Sequence, residues 1–482
     1  MRNSVILCIV ACLTDKLLCQ KPNLIVKPSR TTGTAPLAVH FDATATTLPG
    51  KDAFRDITYS FDFGDVNSGN WSTDGKSKNT QIGGPISAHV YDNAGTYTVW
   101  IRASAPGYYY SDVTLTNPNV DFAGNKTVCV STSGNYNSCP SGALKQKTIP
   151  TGTEWSGKRW LLRRGETFDE IAIQDGNSNV QVGAFGSASQ LPIVAKVGVG
   201  SWRPDTPDFP VDISIMDLSI PGGVLDSLGK RHLFYRNNIT GCDNALCVGF
   251  GEPYYWIFDD PYRRIPISSF YNPQEFFYVD NIAVGNTATT QGNFFGSIAK
   301  SAFMGNYAKC KATLSTNGWI TQFNVISNNI LGSLQDNNVW GSMISPQNGA
   351  YPERITDIII ENNQYIIHRN DQYDLILSAR NVTYRANTRS DGKSAAVMFG
   401  PHGEALPAYW LGPYYTTNTP VVNVTASTSN VTPIKSSQPT AANSGVKGSG
   451  STSSERVGES NGNFACSVML LLLISLIFII QF

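Results

Sequence analysis

Short apolar runs that end in asparagine recur through the second half of the chain. The interval is 25 residues from Asn281 to Asn306, 23 from Asn306 to Asn329 and 24 from Asn363 to Asn387. Two longer intervals, near 43 and 34 residues, leave room for an insertion or an additional coil. Repeats of this length predict successive coils of a parallel β-helix with three short strands per turn.

Asparagine suits a corner that returns in every coil. It tolerates the left-handed backbone of a tight turn, and stacked amide side chains can hydrogen-bond along the stack. The segments with this pattern are 234–241, 278–282, 303–306, 325–332, 358–363 and 382–387. A propeller would need longer, four-stranded units, and an antiparallel sandwich would show clearer hairpin turns.

The part of the chain before these repeats alternates between apolar and polar residues. The segments 35–43, 57–63 and 95–101 each alternate at a period of two, and turn residues separate them. One buried face per strand predicts a β-sandwich.

This N-terminal part resembles the PKD domain family. The strand YSFDFGD at 59–65 matches the family's WDFGD motif, with Phe61 where tryptophan is usual. The strand at 35–43 precedes it, and HVY at 89–91 with GTYTV at 95–99 follows in the family's order. The resemblance implies an Ig-like spacer or adhesion module rather than a catalyst.

Two acidic residues of that motif are candidate cation ligands. Asp62 and Asp65 flank a turn, where a carboxylate either binds Ca2+ or accepts hydrogen bonds from turn amides. We favour turn capping and identify no cofactor, with Ca2+ kept as the alternative.

The repeat-bearing part resembles the pectin-lyase-like right-handed β-helix superfamily. RWLLRRGETF at 159–168 is similar to a segment that opens many members, and VDISIMDLSI at 211–220 matches a frequent coil. The resemblance indicates no named enzyme family. The expected fold class is all-β: an Ig-like PKD β-sandwich followed by a right-handed, single-stranded parallel β-helix.

Both ends of the chain have the composition of sorting signals. Residues 1–19 predict a cleaved signal peptide, with a buried N-terminal helix as the alternative. Residues 464–482 form an apolar tail without a basic flank, which favours a GPI-attachment signal over a single membrane span. The small residues for attachment are Ser449, Gly450 and Ser451.

Composition divides the remaining chain into three parts. The PKD-like sandwich is expected at 22–131 and the β-helix at 140–415. Residues 416–463 are rich in Ser, Thr, Asn and Gly and poor in aromatics, so we expect a disordered, solvated stalk there.

Glycan acceptors and cysteines favour an oxidising secretory compartment. The Asn-x-Ser/Thr acceptors begin at Asn70, Asn125, Asn238, Asn381, Asn423 and Asn430. Two local disulfides are expected: Cys129 with Cys139, and Cys242 with Cys247. The expected location is the outer leaflet of the plasma membrane, with release into the extracellular matrix as an alternative.

The charge balance restricts the partners. The net charge is zero and charged residues make up 15% of the chain, against about a quarter in ordinary domains. Nothing in this balance favours nucleic acid or creates a positive field for acidic polymers. The expected partners are a polysaccharide or matrix glycan and, through the anchor, the membrane.

A lyase would need a base and cations on one exposed strand face. If Leu233 points into the coil, His232 and Arg236 face solvent together with Phe234, because alternate strand residues share a face. Two lysines on a shared face follow a few coils later. The candidate catalytic residues are His232, Arg236, Lys309 and Lys311. The alternative is that they are ordinary polar residues on the outside of a coil.

A hydrolase would need two carboxylates that cooperate across the substrate. Asp259 and Asp260 are adjacent and would point to opposite faces of a strand. Segment 254–264 is better interpreted as a loop whose aromatics stack on sugars and whose arginines meet acidic groups, or as a packed cap. The candidate substrate-binding residues are Phe234, Tyr255, Trp256, Arg263 and Arg264. Asp212 and Asp217 are expected to satisfy turn amides.

The leading hypothesis is a cell-surface or extracellular-matrix glycoprotein that engages polysaccharide through the β-helix. An active polysaccharide lyase or glycoside hydrolase in the β-helix groove is the first alternative. A purely structural matrix protein is the second.

Overall fold

The structure is a computed structural model of the chain. It describes residues 22–54, 56–103, 108–200, 208–242, 246–250, 274–285, 291–295, 298–310, 314–316, 321–333, 342–344, 355–366, 375–377, 380–395 and 397–399. The regular elements in these ranges are β-strands, apart from α1 (Pro118–Asp121) and a 3-10 turn (Gly124–Lys126).

The residues up to Thr116 form the β-sandwich that the alternation predicts. Its strands are β1 (Lys27–Pro28), β2 (Thr32–Thr34), β3 (Leu37–Asp42), β4 (Tyr59–Asp62), β5 (Thr80–Gly83), β6 (Ile86–Tyr91), β7 (Gly95–Ala103) and β8 (Tyr108–Thr116). A three-stranded sheet has the order β1-β3-β6, and a five-stranded sheet has the order β2-β8-β7-β4-β5. Phe41, Phe61 and Ile101 are among the buried side chains that fill the space between the sheets, so burial of the apolar face holds the sandwich together.

Short parallel strands follow. They are β9 (Thr127–Val130), β10 (Leu144–Gln146), β11 (Arg159–Arg163), β12 (Thr167–Phe168), β13 (Ile171–Ile173), β14 (Ser178–Phe185), β15 (Ile193–Val194), β16 (Val197–Val199), β17 (Val211–Met216), β18 (Val224–Asp226), β19 (Lys230–Tyr235), β20 (Asn238–Cys242), β21 (Leu246–Phe250), β22 (Gln274–Val279), β23 (Ile282–Gly285), β24 (Gln291–Phe295), β25 (Ala302–Met304), β26 (Tyr307–Cys310), β27 (Leu314–Thr316), β28 (Thr321–Ser327), β29 (Ile330–Ser333), β30 (Ser342–Ile344), β31 (Ile355–Glu361), β32 (Gln364–Tyr365), β33 (Leu375–Leu377), β34 (Arg380–Arg385), β35 (Thr388–Arg389) and β36 (Val397–Phe399).

These strands stack into three long parallel sheets, and each full coil contributes one strand to each. The first, here called the long sheet, has the order β10-β9-β11-β14-β17-β19-β22-β25-β28-β31-β34. The other two have the orders β13-β16-β18-β21-β24-β27-β30-β33-β36 and β20-β23-β26-β29-β32-β35. Pairing of every strand with its equivalent in the next coil is the arrangement of a parallel β-helix, so the fold class expected from the repeats is confirmed.

A buried asparagine ladder lies at the corner between the long sheet and the six-stranded sheet. Each amide nitrogen donates to the amide oxygen of the next coil, at 2.9–3.2 Å. Its members are Asn237, Asn281, Asn306, Asn329, Asn363 and Asn387. Asn237 bonds directly to Asn281 across 44 residues, and Asn329 bonds to Asn363 across 34. The longer intervals therefore hold insertions rather than additional coils.

Apolar side chains from the sheets fill the inside of the coil. Ile213, Phe234 and Ile358 are among the fully buried members of this core, and Trp155 and Trp160 contribute to it near the N-terminal end. Close packing of this kind in every coil is what makes the stack cooperative.

The β-helix begins earlier in the chain than composition indicated. Strand β9 pairs in parallel with β11, so residues 127–130 belong to the long sheet although they lie in the range 22–131 assigned to the sandwich. The sequence TVCV is a short apolar run. A run of this length shows no alternation of apolar and polar residues that would distinguish the last strand of a sandwich from the first strand of a β-helix.

Candidate functional site: the cleft between the two domains

The β-sandwich packs against the outer face of the long sheet. One apolar cluster joins the three-stranded sheet of the sandwich to the β-helix. Its sandwich members include Ala38, Phe54, Ile86, Ala88 and Val90, and its β-helix members include Met216, Leu233, Tyr235, Phe277, Val279, Met304, Val325 and Ile359. The PKD-like domain is therefore fixed to the coil in this structure, whereas the sequence suggested a spacer.

Two rows of charged residues border this apolar contact, one at each end of the long-sheet strands. The first row consists of Asp212, Arg231, Glu275 and Lys300, whose φ angles lie between 52° and 61°. The second consists of Asp217, Arg236 and Asp280, at 54° to 57°. The sign of the charge alternates from coil to coil, and strands about 4.8 Å apart bring opposite charges into contact.

The second charged row is closed by ion pairs with the sandwich. The Arg236 guanidinium donates to both oxygens of Asp217, at 2.9 and 3.0 Å, and to Asp92 of the sandwich at 2.8 Å. Lys78 of the sandwich donates to Asp280 at 2.6 Å. Every charge named here therefore has an oppositely charged partner at this edge of the interface.

At the first charged row, one arginine of the sandwich, Arg30, pairs with Asp212, and a cleft lies beside this pair. Arg231 donates twice to Asp212, from Nε at 2.6 Å and from Nη2 at 2.7 Å. Arg30 of the sandwich donates to the same carboxylate at 3.1 Å and to the Ala38 carbonyl at 3.0 Å. One carboxylate thus holds two guanidinium groups from different domains.

A cleft of about 380 Å³ opens at this cluster. Its polar lining includes Ser29, Thr32, Thr34, Asn179, Gln181 and Ser214 with the three charged residues, and its apolar lining includes Pro36, Leu37, Phe122 and Val180. Gln181 donates from Nε2 to the Ala35 carbonyl at 3.0 Å, which fixes the two walls to each other. The size is at the lower end for a small-ligand site.

The electrostatics keep the Asp212 carboxylate charged. Burial alone would raise its pKa, but the hydrogen bonds and charge of Arg231, together with the charge of Arg30, hold that pKa below its ordinary value. The Arg231 pKa is raised, chiefly by its hydrogen bonds to Asp212. The cleft therefore presents fixed donors and acceptors, and Asp212 is a weak base there.

His232 and Phe234 point into the coil, contrary to the expected orientation. Both side chains are fully buried, and Leu233 and Tyr235 face the sandwich instead. His232 bonds through Nδ1 to Asp226 at 2.7 Å and through Nε2 to the Pro210 carbonyl at 3.0 Å. With both ring nitrogens engaged inside the core, the histidine does not reach an exposed groove.

The other candidate cations do not share one face with His232. Arg236 lies at the second charged row, whereas Lys309 is on β26 of the six-stranded sheet, half-buried. Lys311 lies outside the described residues, as do Tyr255, Trp256, Arg263 and Arg264. Within the described part of the chain, the expected groove of converging cations is not formed.

Asp62 caps its turn, as expected, whereas the Asp65 carboxylate pairs with a histidine instead of a turn amide. Asp62 accepts from the Gly64 amide at 3.0 Å and from Asn79 at 2.9 Å. The Asp65 carboxylate meets His89 at 3.1 Å. Over the described ranges, no group of three or more His, Cys, Asp or Glu residues is placed to hold a metal ion.

A disulfide joins Cys129 and Cys139. The side chains of Cys242 and Cys247 lie outside the described residues, as do Asn423, Asn430 and the anchor region at Ser449, Gly450 and Ser451. Asn70 and Asn125 are exposed, and Asn238 and Asn381 are half-buried. Among the residues that the structure describes, no helix is long and apolar enough to span a membrane.

The sequence interpretation missed the cleft residues because the cluster joins two domains. Asp212 was expected to satisfy turn amides, and it pairs with arginines instead. One signal in the sequence could have indicated the pair. Asp212 and Arg231 have opposite charges and are each the second residue of a long-sheet strand, in two successive coils. No such signal exists for Arg30, which is 182 residues from Asp212.

Comparison with known proteins supports the N-terminal assignment. Residues 23–108 match the PKD domain family, so the chain contains a PKD domain. No curated protein sequence matches the chain. Among solved structures, an alginate lyase from Paenibacillus sp. str. FPU-7 is similar at 11% sequence identity and a TM-score of 0.33, over 59% of this chain and 99% of that one.

Proposed function

We propose that this protein is an extracellular glycan-binding protein that holds saccharide in the cleft between its PKD domain and its β-helix. The observation that supports the proposal is the Arg30–Asp212–Arg231 cluster, which lines a cleft of about 380 Å³ with walls from both domains.

The lining of the cleft matches the chemistry of a sugar. Guanidinium N–H groups donate to sugar oxygens, and carboxylate and amide oxygens accept from sugar hydroxyls. Leu37, Phe122 and Val180 line the cleft but are almost fully buried, so recognition would depend mainly on the polar groups. A concave site with a few fixed polar groups is typical of small-ligand recognition.

The same groups favour binding over cleavage. Proton abstraction needs a base whose pKa lies near the working pH, and Asp212 is held ionised by two arginines with its pKa lowered. His232, the candidate base from the sequence, is buried in a pair with Asp226. The described cleft thus offers recognition groups without a poised base.

We also propose that the protein acts at the outer face of a cell membrane. The support is in the sequence: the apolar segments at 1–19 and 464–482 and the repeated glycan acceptors. Phosphatidylinositol-specific phospholipase should release the protein from intact cells. Retention on the membrane, after a lipase-resistant anchor is excluded, would favour a membrane span.

The binding proposal is tested with purified full-length protein on a glycan array that includes neutral and uronate-containing chains. Arg231→Ala should reduce binding to the selected glycan by about tenfold, because a charge-assisted hydrogen bond contributes roughly 1.5–3 kcal/mol. Arg236→Ala is the matched control: it breaks the same kind of ion pair directly after the end of the same strand, outside the cleft. Equal losses in the two variants would refute the cleft as the site.

The enzymatic alternative has a separate readout. Incubation with uronate-rich glycans should give no rise in ultraviolet absorbance from unsaturated chain ends. Such a rise, retained in Arg231→Ala, would establish a lyase that works elsewhere on the molecule.

A further inference from the structure

The outer face of the five-stranded sheet of the PKD domain carries an aromatic pair. Trp100 on β7 is 41% exposed, and Tyr110 on β8 lies directly opposite it in register. Their ring centroids are 5.4 Å apart and the planes are inclined at 37°. The neighbours Val99 and Ile101 point the other way and are fully buried in the sandwich core, so the backbone under the pair is firmly held.

Charged and hydroxyl groups border this pair on the same face. Asp62 lies opposite Trp100 on β4 and is exposed, and its carboxylate is oriented by the bonds from Gly64 and Asn79. Thr98 and Arg102 are exposed two residues to either side of Trp100, and alternate residues share a face. Thr98 donates to Asp112 at 2.7 Å, which fixes a second carboxylate at the border.

We propose that Trp100 and Tyr110 form a stacking platform for a neutral pyranose ring, with Asp62, Asp112 and Arg102 binding hydroxyls at its edge. An aromatic side chain presents a large, rigid apolar surface that suits the C–H face of a sugar. Strands lie about 4.8 Å apart, so the carboxylate of the neighbouring strand is within reach of hydroxyls on a ring stacked over Trp100.

The charge of the border selects the class of glycan. Two carboxylates and one guanidinium leave the face net negative, which disfavours polyuronates and sulfated chains. Carboxylates that are already oriented accept hydrogen bonds from uncharged hydroxyl groups. This platform shares no residue with the cleft, so it is a second site and stands whether or not the cleft binds glycan.

The test measures binding of cellohexaose, chitohexaose and mannohexaose to the full-length protein by calorimetry, with oligogalacturonate as the charged comparison. At least one neutral chain should bind, and Trp100→Ala should weaken that binding by about tenfold or more. Trp100→Phe keeps an aromatic face and should retain most of it. Val66→Ala, at an exposed apolar residue outside the platform, should have no effect.

Several results would overturn the platform. They are no binding of any neutral chain, equal binding by Trp100→Ala, or preference for oligogalacturonate. A change of oligomeric mass in Trp100→Ala, measured by light scattering, would identify the face as a contact between copies instead. All variants are also made in the Arg231→Ala background, so that binding by the cleft is removed and the loss measured for Trp100→Ala refers to the platform alone.

Discussion

Glu361 shows how domain packing alters a single residue. Its side chain is fully buried where the long sheet meets the sandwich, and Arg385 donates to it at 3.2 Å. The Gly84 backbone also hydrogen-bonds the carboxylate, and a side chain at Gly83 would collide with it. Burial raises the pKa of Glu361 to about 7, although Arg385 and Gly84 oppose the shift.

The raised pKa predicts a pH-dependent stability. A carboxyl with a pKa of 4.5 when unfolded and about 7 when folded stabilises the fold fully below pH 4.5, and this contribution is lost as the pH rises through 7. The loss is on the order of 3 kcal/mol. Glu361→Gln, which mimics the protonated form, should remove that loss in denaturation measured from pH 4.5 to 8.

The comparison between wild type and Glu361→Gln isolates the contribution of Glu361 to the pH dependence of stability. His40, whose pKa burial lowers to about 4, titrates in both proteins and affects stability in the opposite sense. Parallel stability curves for the two proteins across this pH range would contradict the prediction.

The buried His232–Asp226 pair predicts a structural role for His232. His232→Ala should reduce the free energy of unfolding by about 3–5 kcal/mol, because it leaves a cavity and an unpaired buried carboxylate. Urea denaturation measures the loss, and Lys230→Ala, exposed on the same strand, is the control. Glycan binding of the folded variant should not change; a stable variant that loses only binding would restore the catalytic or recognition hypothesis.

At the scale of elements, the corners of the β-helix were predictable and the strand faces were not. The repeated asparagines record the amide ladder directly. The left-handed residue, however, is the one before each ladder asparagine, such as Arg236, Asp280 or Asn328, so the expectation that asparagine itself adopts the left-handed conformation was wrong. The strand Lys230–Tyr235 is apolar on both faces, because its outer face packs on the sandwich. When both faces of a strand are apolar, the alternation of apolar and polar residues cannot show which face points into the coil. For this reason the orientation inferred for His232 was wrong.

The asparagine ladder predicts that the loss of stability on mutation depends on which coil loses its asparagine. Asn306→Ala should destabilise the protein by about 2 kcal/mol, because it removes bonds to Asn281, Asn329 and the Tyr278 carbonyl and leaves buried partners unsatisfied. Asn387→Ala, at the last coil of the ladder, should cost less. Thermal and urea unfolding check the order, and equal costs would contradict a ladder that is coupled along the coils.

At the scale of the whole molecule, we expect the apolar contact to make the two domains unfold together. Met304→Asp places a charge in that contact, where burial of an unpaired charge costs several kcal/mol. Calorimetry should show one transition for the wild type and two for the variant. Val66→Asp, at an exposed position of the sandwich, should keep one transition; two transitions in the wild type would refute the coupling.

The sequence by itself determined the two architectures. Period-two alternation with the YSFDFGD motif specified the sandwich, and the asparagine interval specified the coil, because both depend on residues close in sequence or repeated at a fixed distance. Only the tertiary structure decided where the sandwich lies and therefore which groups meet. Arg30 and Asp212 are 182 residues apart, and their pairing depends on how two folded surfaces fit, which no local pattern encodes.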